Sequence, residues 1–142
     1  MKLKGDHMST SLQNYTSLAG RLFLALIFIT SGVGKIGNFE GTAAYMGSHG
    51  MPMVSILLIG AIVFELAGGL SLLIGYKTKY GVWMLLIFLI LATLIFHPFW
   101  AVPEDMVKMQ TIAFLKNIAI MGGLLTVLAH GPGRLSMDKK GD

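Results

Sequence analysis

Apolar residues gather along the chain in four stretches, roughly Thr16–Ile36, Met53–Gly75, Gly81–His97 and Thr111–His130. Each approaches the ~20 residues that a helix needs to cross ~30 Å of hydrocarbon at about 1.5 Å per residue. Between them lie short polar connections, the longest at Gly37–Pro52 and Pro98–Gln110. The pattern predicts an all-α membrane protein: a four-transmembrane-helix bundle forming one domain over residues 1–142. The third stretch is the shortest, but Tyr80 and Trp83 near one end and Phe99 and Trp100 at the other have the placement of interfacial aromatic belts.

Basic residues then orient the bundle. Lys2 and Lys4 precede the first stretch, Lys77 and Lys79 join the second to the third, and Arg134, Lys139 and Lys140 follow the fourth. The other side carries Lys108 alone. The positive-inside rule predicts both termini and the Lys77–Lys79 turn in the cytoplasm, hence a multi-pass membrane protein, N-in and C-in. The opening "MKLKGDHM" looks partly like a cloning junction ahead of Met8, and dropping its two lysines leaves the asymmetry intact. The first apolar stretch is long and continuous and has no small-residue cleavage pattern after it, so no secretory signal is expected.

Composition agrees with this picture and narrows the chemistry. Charged residues make up 13% of the chain, against about 25% in soluble domains. There is no Cys, which removes disulfides, thiolate nucleophiles and Fe–S ligands supplied by the chain itself. The net charge of +4 would suggest nucleic acid in a soluble protein, but in a chain of membrane spans the position of the charges matters more, and the bilayer is the expected partner. Ten Met suit adaptable apolar packing.

One motif invites a different reading. Gly32, Gly34 and Gly37 in "TSGVGKIGNF" have the G-x-G-x-x-G spacing of a dinucleotide-binding turn. That fingerprint has meaning only between a strand and a helix of a βαβ unit. Here it falls in the last turns of a membrane helix, and Ile36 stands where a phosphate loop needs Ser or Thr. These glycines are expected to serve close helix packing and helix termination instead.

Ionisable groups inside the spans are costly and therefore informative. They are Arg21 and Lys35 in the first span, Glu65 in the second, His97 ending the third, and Lys116 beside Asn117 in the fourth. Arg21, Ala25, Phe28, Gly32 and Lys35 recur at steps of four and three, which places them on one helix face. Ala61, Glu65, Gly68 and Gly69 share a face in the same way, as do Lys116, Ala119 and Gly123. Gly32, Gly68, Gly69, Gly122 and Gly123 are the expected packing glycines.

Counting helical rises puts Glu65 ~18 Å, Arg21 ~22 Å and Lys116 ~9 Å below the outer surface. Glu65 is accordingly expected to pair with Arg21 near the midplane, with Lys116 as the runner-up. Lys35, His97, Lys116 and Asn117 would then surround a cavity opening outward, suited to an anionic or carbonyl-bearing ligand. Blander roles compete with this one. Arg21 and Lys35 can snorkel from helix ends, and a buried ion pair can serve only to lock register. His97 and His130 are expected at opposite ends and so cannot share a haem. His49 and His97 without a third ligand make weak metal donors. No haem or intrinsic metal is expected.

These elements together resemble the DoxX family of small four-span bacterial membrane proteins. The matching segments are "GRLFLALIFITSGVGKI", "YMGSHGMP", "FELAGGLSLLIG", "LIFHPFW" and "FLKNIAIMGGLLTVLAHGPGRLSMD", together covering roughly Tyr15 to Asp138. The resemblance implies the bacterial cytoplasmic (inner) membrane and a link to quinol oxidase systems, thiosulfate:quinone oxidoreduction or thiol and oxidative-stress homeostasis, without naming a substrate.

The favoured expectation is a membrane subunit of a quinone-linked oxidoreductase or redox-homeostasis system. Arg21, Lys35, Glu65, His97, Lys116 and Asn117 would form the ligand site, and a quinone or lipid would occupy it. The chain supplies no electron carrier of its own, so catalytic residues are left unassigned and a redox partner protein is implied. The alternatives are a non-catalytic scaffold that recruits partners, and transport of a small solute or lipid, for which a homo-oligomer could complete the path.

Overall fold

The computed structural model describes residues 9–139, which form five α-helices and no strands. These are α1 (Thr10–Gly37), α2 (Phe39–Ser48), α3 (Val54–Ile74), α4 (Thr78–Phe96) and α5 (Glu104–His130). A single 3-10 turn, Phe99–Ala101, precedes α5. Lys2, Lys4, Lys140 and the suspected junction lie outside the described residues. Four helices, α1, α3, α4 and α5, are long and apolar enough to cross a membrane.

Two of these helices begin earlier than the apolar pattern alone implies, because their polar starts are stabilised locally. Ser9 caps α1 by accepting the Leu12 N–H at 3.3 Å, so the helix includes the polar run from Thr10. Glu104 and Asp105 occupy the first turn of α5, where carboxylates complement the exposed N–H groups. The short helix α2 occupies what the sequence pattern left as an outer connection. Its Met46 packs with Leu58 and Ile62 of α3.

Each long helix presents one narrow face to its neighbours. Arg21, Ala25, Phe28 and Gly32 are the buried residues of α1, the same face that the four-three spacing marks out. In α5 the buried set is Gln110, Asn117 and Leu124, one residue every seven. Neighbours pack in the order α1, α3, α4, α5. The main core consists of Ala25, Phe28, Leu72, Val82, Leu85, Leu86, Leu89 and Leu124.

Glycines let the backbones meet, which matters in lipid because close packing rather than apolar burial holds helices together. A Cβ on Gly32 would fall 2.8 Å from Leu66 Cδ2, and one on Gly69 2.8 Å from Ile29 Cγ1. A Cβ on Gly68 would stand 2.5 Å from Leu85 Cγ and 3.0 Å from the Gly81 carbonyl oxygen. Gly123 approaches Leu24, but Gly122, one position around the helix, faces open space. Among the described residues, then, nothing packs against Gly122 in the way expected of it. The G-x-G-x-x-G run is helical throughout, with Gly37 as the last residue of α1.

Gly68→Val is expected to destabilise the bundle by about 1–3 kcal/mol, since backbone as well as the Leu85 side chain must move. Thermal unfolding of the purified protein in detergent measures it, with Gly122→Ala as the neutral control.

Candidate functional site

The centre of the site is an ion pair between α1 and α3. The Lys35 ammonium stands 2.9 Å from Glu65 Oε2 and donates to Oε1 at 3.0 Å. It also donates to Ser31 Oγ at 2.7 Å, one turn back along α1, and lies 5.6 Å from the centre of the Phe88 ring. The Glu65 side chain is 2% exposed and that of Lys35 22%. A carboxylate buried this deeply needs such a partner.

This pairing replaces the Arg21–Glu65 pair expected from depth, and the reason lies in the helix ends. A Cβ on Gly32 would lie 3.5 Å from Glu65 Cβ, so the two residues are level. From Gly32, α1 runs five residues to Gly37, about 8 Å; from Glu65, α3 runs eleven back to Val54, about 16 Å. α1 thus stops short of α3, and α2 fills the step. Lysine side chains lean toward the helix N-terminus, so Lys35 reaches back down to Glu65.

Two polar contacts join α4 to α5 beside the pair. Asn117 Nδ2 donates to Thr93 Oγ1 at 3.0 Å, and His97 Nδ1 bonds Gln110 Oε1 at 2.8 Å. With the amide oxygen as acceptor, Nδ1 is the donor, and Nε2 is left without a hydrogen-bond partner among the described residues. Thr93 and Gln110 were not among the residues singled out from the sequence. Gln110 was findable from its seven-residue spacing to Asn117; Thr93 carried no signal.

Beside these contacts lies a cavity of about 380 Å³ lined by residues of all five helices. Lys35, Glu65, His97, Lys116 and Asn117 all contribute to it, with Tyr45 from α2 and an apolar wall that includes Phe28, Phe88 and Phe96. Tyr45 stacks on Phe96 with ring centres 5.4 Å apart. Lys116 is exposed and has neither ion pair nor hydrogen bond among the described residues. It lies five positions into the apolar stretch that begins at Thr111, about 8 Å along the helix, where an unpaired cation is costly.

Arg21 lies elsewhere. It is 1% exposed and donates from Nη1 to the Leu72 carbonyl at 2.8 Å and from Nη2 to the Leu135 carbonyl. Leu72 belongs to the last turn of α3, whose carbonyls have no helical partners. Arg21 therefore ties α1 and the end of α3 to the tail that follows α5. The same tail returns to the α3–α4 turn, where Asp138 N–H donates to the Gly75 carbonyl at 2.7 Å. The Asp138 carboxylate accepts from Lys77 N–H at 2.6 Å and Thr78 N–H at 2.8 Å, capping α4 from sixty residues away. Lys77 sits there in the left-handed region, with φ +48°.

Burial raises the pKa of Asp138, but hydrogen bonding from Thr78 and Lys77 and the charge of Arg21 outweigh it, so the carboxyl titrates below its ordinary range. A depressed carboxyl contributes stability above its unfolded pKa and loses it as pH falls through the folded value. Tail anchoring is therefore expected to weaken below about pH 4. Hydrogen exchange in residues 131–138 should rise there in the wild type, and should already be high at neutral pH in Asp138→Asn.

Comparison with known proteins places the chain. The DoxX family model matches residues 16–98. Inner membrane protein YphA of Escherichia coli is 36% identical over 124 residues, 87% of this chain and 88% of that protein. Inner membrane protein YqjF of the same organism is 33% identical over 128 residues, 90% of this chain and 93% of its own length. A Surfeit locus protein 4 homolog of Drosophila melanogaster is 30% identical, with 89% of this chain matching 41% of that longer protein. No solved structure matches. With four membrane-length helices and two full-length relatives named as inner membrane proteins, this chain is an integral, multi-pass membrane protein of the DoxX family.

Proposed function

We propose that the cavity lined by the five helices binds the headgroup of a lipid-soluble quinone, and that the protein is the quinone-facing subunit of a membrane redox system. The observation that carries this proposal is Lys116, an unpaired ammonium at the mouth of an aromatic-walled cavity. A quinone carbonyl is an uncharged acceptor that satisfies such a donor without bringing a second charge into the membrane. Its flat ring suits the wall formed by Phe88 and Phe96. The volume of about 380 Å³ falls within the range of small-molecule sites.

Reduction of a quinone to a quinol takes up two electrons and two protons. His97 and the Lys35–Glu65 pair, which line the same cavity, would supply the protons. Electrons must come from a partner, because the chain has no Cys and supplies no carrier. The positive-inside distribution of lysines and arginines would place both termini in the cytoplasm and the cavity in the outer half of the bilayer.

Titration of the detergent-purified protein with a short-chain quinone analogue, followed by intrinsic fluorescence, tests this. Saturable binding is expected, weakened roughly 10- to 100-fold in Lys116→Met, which loses a charged hydrogen bond. Binding that is absent, or indifferent to Lys116, would instead favour a scaffold role in which the polar groups only pack the bundle.

A further inference from the structure

At the end of the bundle that holds both described termini, α4 and α5 part around a hollow of about 830 Å³. Its walls change character with depth. Val82, Val127 and Leu128 line the inner part, and Lys79, His130 and Arg134 join them from the helix ends and the tail. Lys79 lies in the first turn of α4, His130 is the last residue of α5, and Arg134 belongs to the tail. Neither Lys79 nor Arg134 has a hydrogen bond or ion pair among the described residues. The carboxylate that lines the same hollow, Asp138, has its two oxygens engaged by backbone N–H groups. His130 Nδ1 donates to the Thr126 carbonyl at 3.0 Å, leaving Nε2 available.

We propose that this hollow is a binding site for an anionic phospholipid, with the lipid phosphate held by Lys79 and Arg134. The planar guanidinium of Arg134 suits a phosphate's paired oxygens, and the Lys79 ammonium adds a second charge. One acyl chain would lie along the half-buried Val127 and Leu128, above the fully buried Val82, between two membrane helices. An amphiphile matches both parts of the hollow, whereas a small soluble anion would leave the apolar part unfilled. The helix ends place the cations at headgroup level, where each basic residue favours anionic lipid. The site is at the opposite end from the quinone cavity and does not depend on it.

The test is native mass spectrometry of the full-length detergent-purified protein, offered phosphatidylglycerol and phosphatidylcholine of identical chains. The wild type is expected to retain phosphatidylglycerol about thirty-fold better, at roughly fivefold per basic residue. Lys79→Gln with Arg134→Gln should abolish the preference and leave the melting temperature in phosphatidylcholine unchanged. Raised salt should erode the wild-type preference, a measurement that does not depend on how the variant folds. Equal retention of the two lipids by the wild type would overturn the proposal, as would a preference that survives in the double variant. Inorganic phosphate stabilising the protein as strongly as phosphatidylglycerol would also overturn it, showing a site for a free anion.

Discussion

Lys35→Met is expected to cost the fold about 3–5 kcal/mol, because it leaves the Glu65 carboxylate buried without its cation. The Glu65 side chain is 2% exposed, and both of its oxygens lie within 3.0 Å of the Lys35 ammonium. Ser31 is the other hydrogen-bond partner of that ammonium, and it cannot neutralise the carboxylate once Lys35 is gone. Lys35→Met combined with Glu65→Leu should recover most of the loss, since replacing a whole buried pair with apolar side chains is often neutral. Unfolding of the two variants in mixed detergent micelles measures both effects. A loss below about 1 kcal/mol for the single variant would mean that the pair behaves as an exposed one.

Arg21→Gln is expected to be the next most damaging, at about 2–4 kcal/mol, through the loss of charge-assisted hydrogen bonds to two carbonyls. Its effect should also be local. Leu135 and Leu72 lose a shared donor, so the tail should detach from the end of α3. Hydrogen exchange in residues 131–138 should rise sharply while the centres of α3 and α4 stay protected. Arg21→Lys should recover only part of the anchoring, because a point ammonium cannot reproduce the guanidinium fork. Gly75→Ala should mimic the Arg21→Gln phenotype. Gly75 has φ +66°, and an added Cβ would collide with the Arg21 guanidinium and Ser136. An exchange profile that does not change in Arg21→Gln would contradict the clamp.

What the sequence made legible, and what it hid, follows from the range of the forces involved. The four long helices were visible because spanning hydrocarbon demands a long apolar run, a local property. The buried face of α1 was visible as well, since Arg21, Ala25, Phe28 and Gly32 repeat at helical spacing. Five of the six residues singled out by their membrane cost, Lys35, Glu65, His97, Lys116 and Asn117, line one cavity. The partner of Glu65 was hidden, because depth counting assumed that α1 and α3 end in one plane. The short helix α2, whose sequence "FEGTAAYMGS" has a weak apolar pattern, breaks that assumption. The tail was hidden too. Gly131–Asp138 has no periodicity, and its fold depends on Arg21 and on the N–H groups of Lys77 and Thr78, all distant in sequence.

A common economy links the two ends of the bundle. At one end Arg21 and Asp138 satisfy helix-terminal groups from far away in the sequence. α5 is the least enclosed of the spanning helices, with 11% of its most apolar stretch buried against 28% in α3. At the other end, the exposed Lys116 of this helix lines the cavity.

The most direct measurement of the quinone site is photolabelling with an azidoquinone in lipid nanodiscs, mapped by peptide mass spectrometry. Label is expected on the last turns of α1 and on the cavity-facing residues of α4 and α5, near Ser31, Phe88 and Lys116. Excess unlabelled quinone should displace it, and Lys116→Met should sharply reduce it. Label spread over the lipid-facing surfaces of all four spanning helices, and not displaced by excess quinone, would contradict the account.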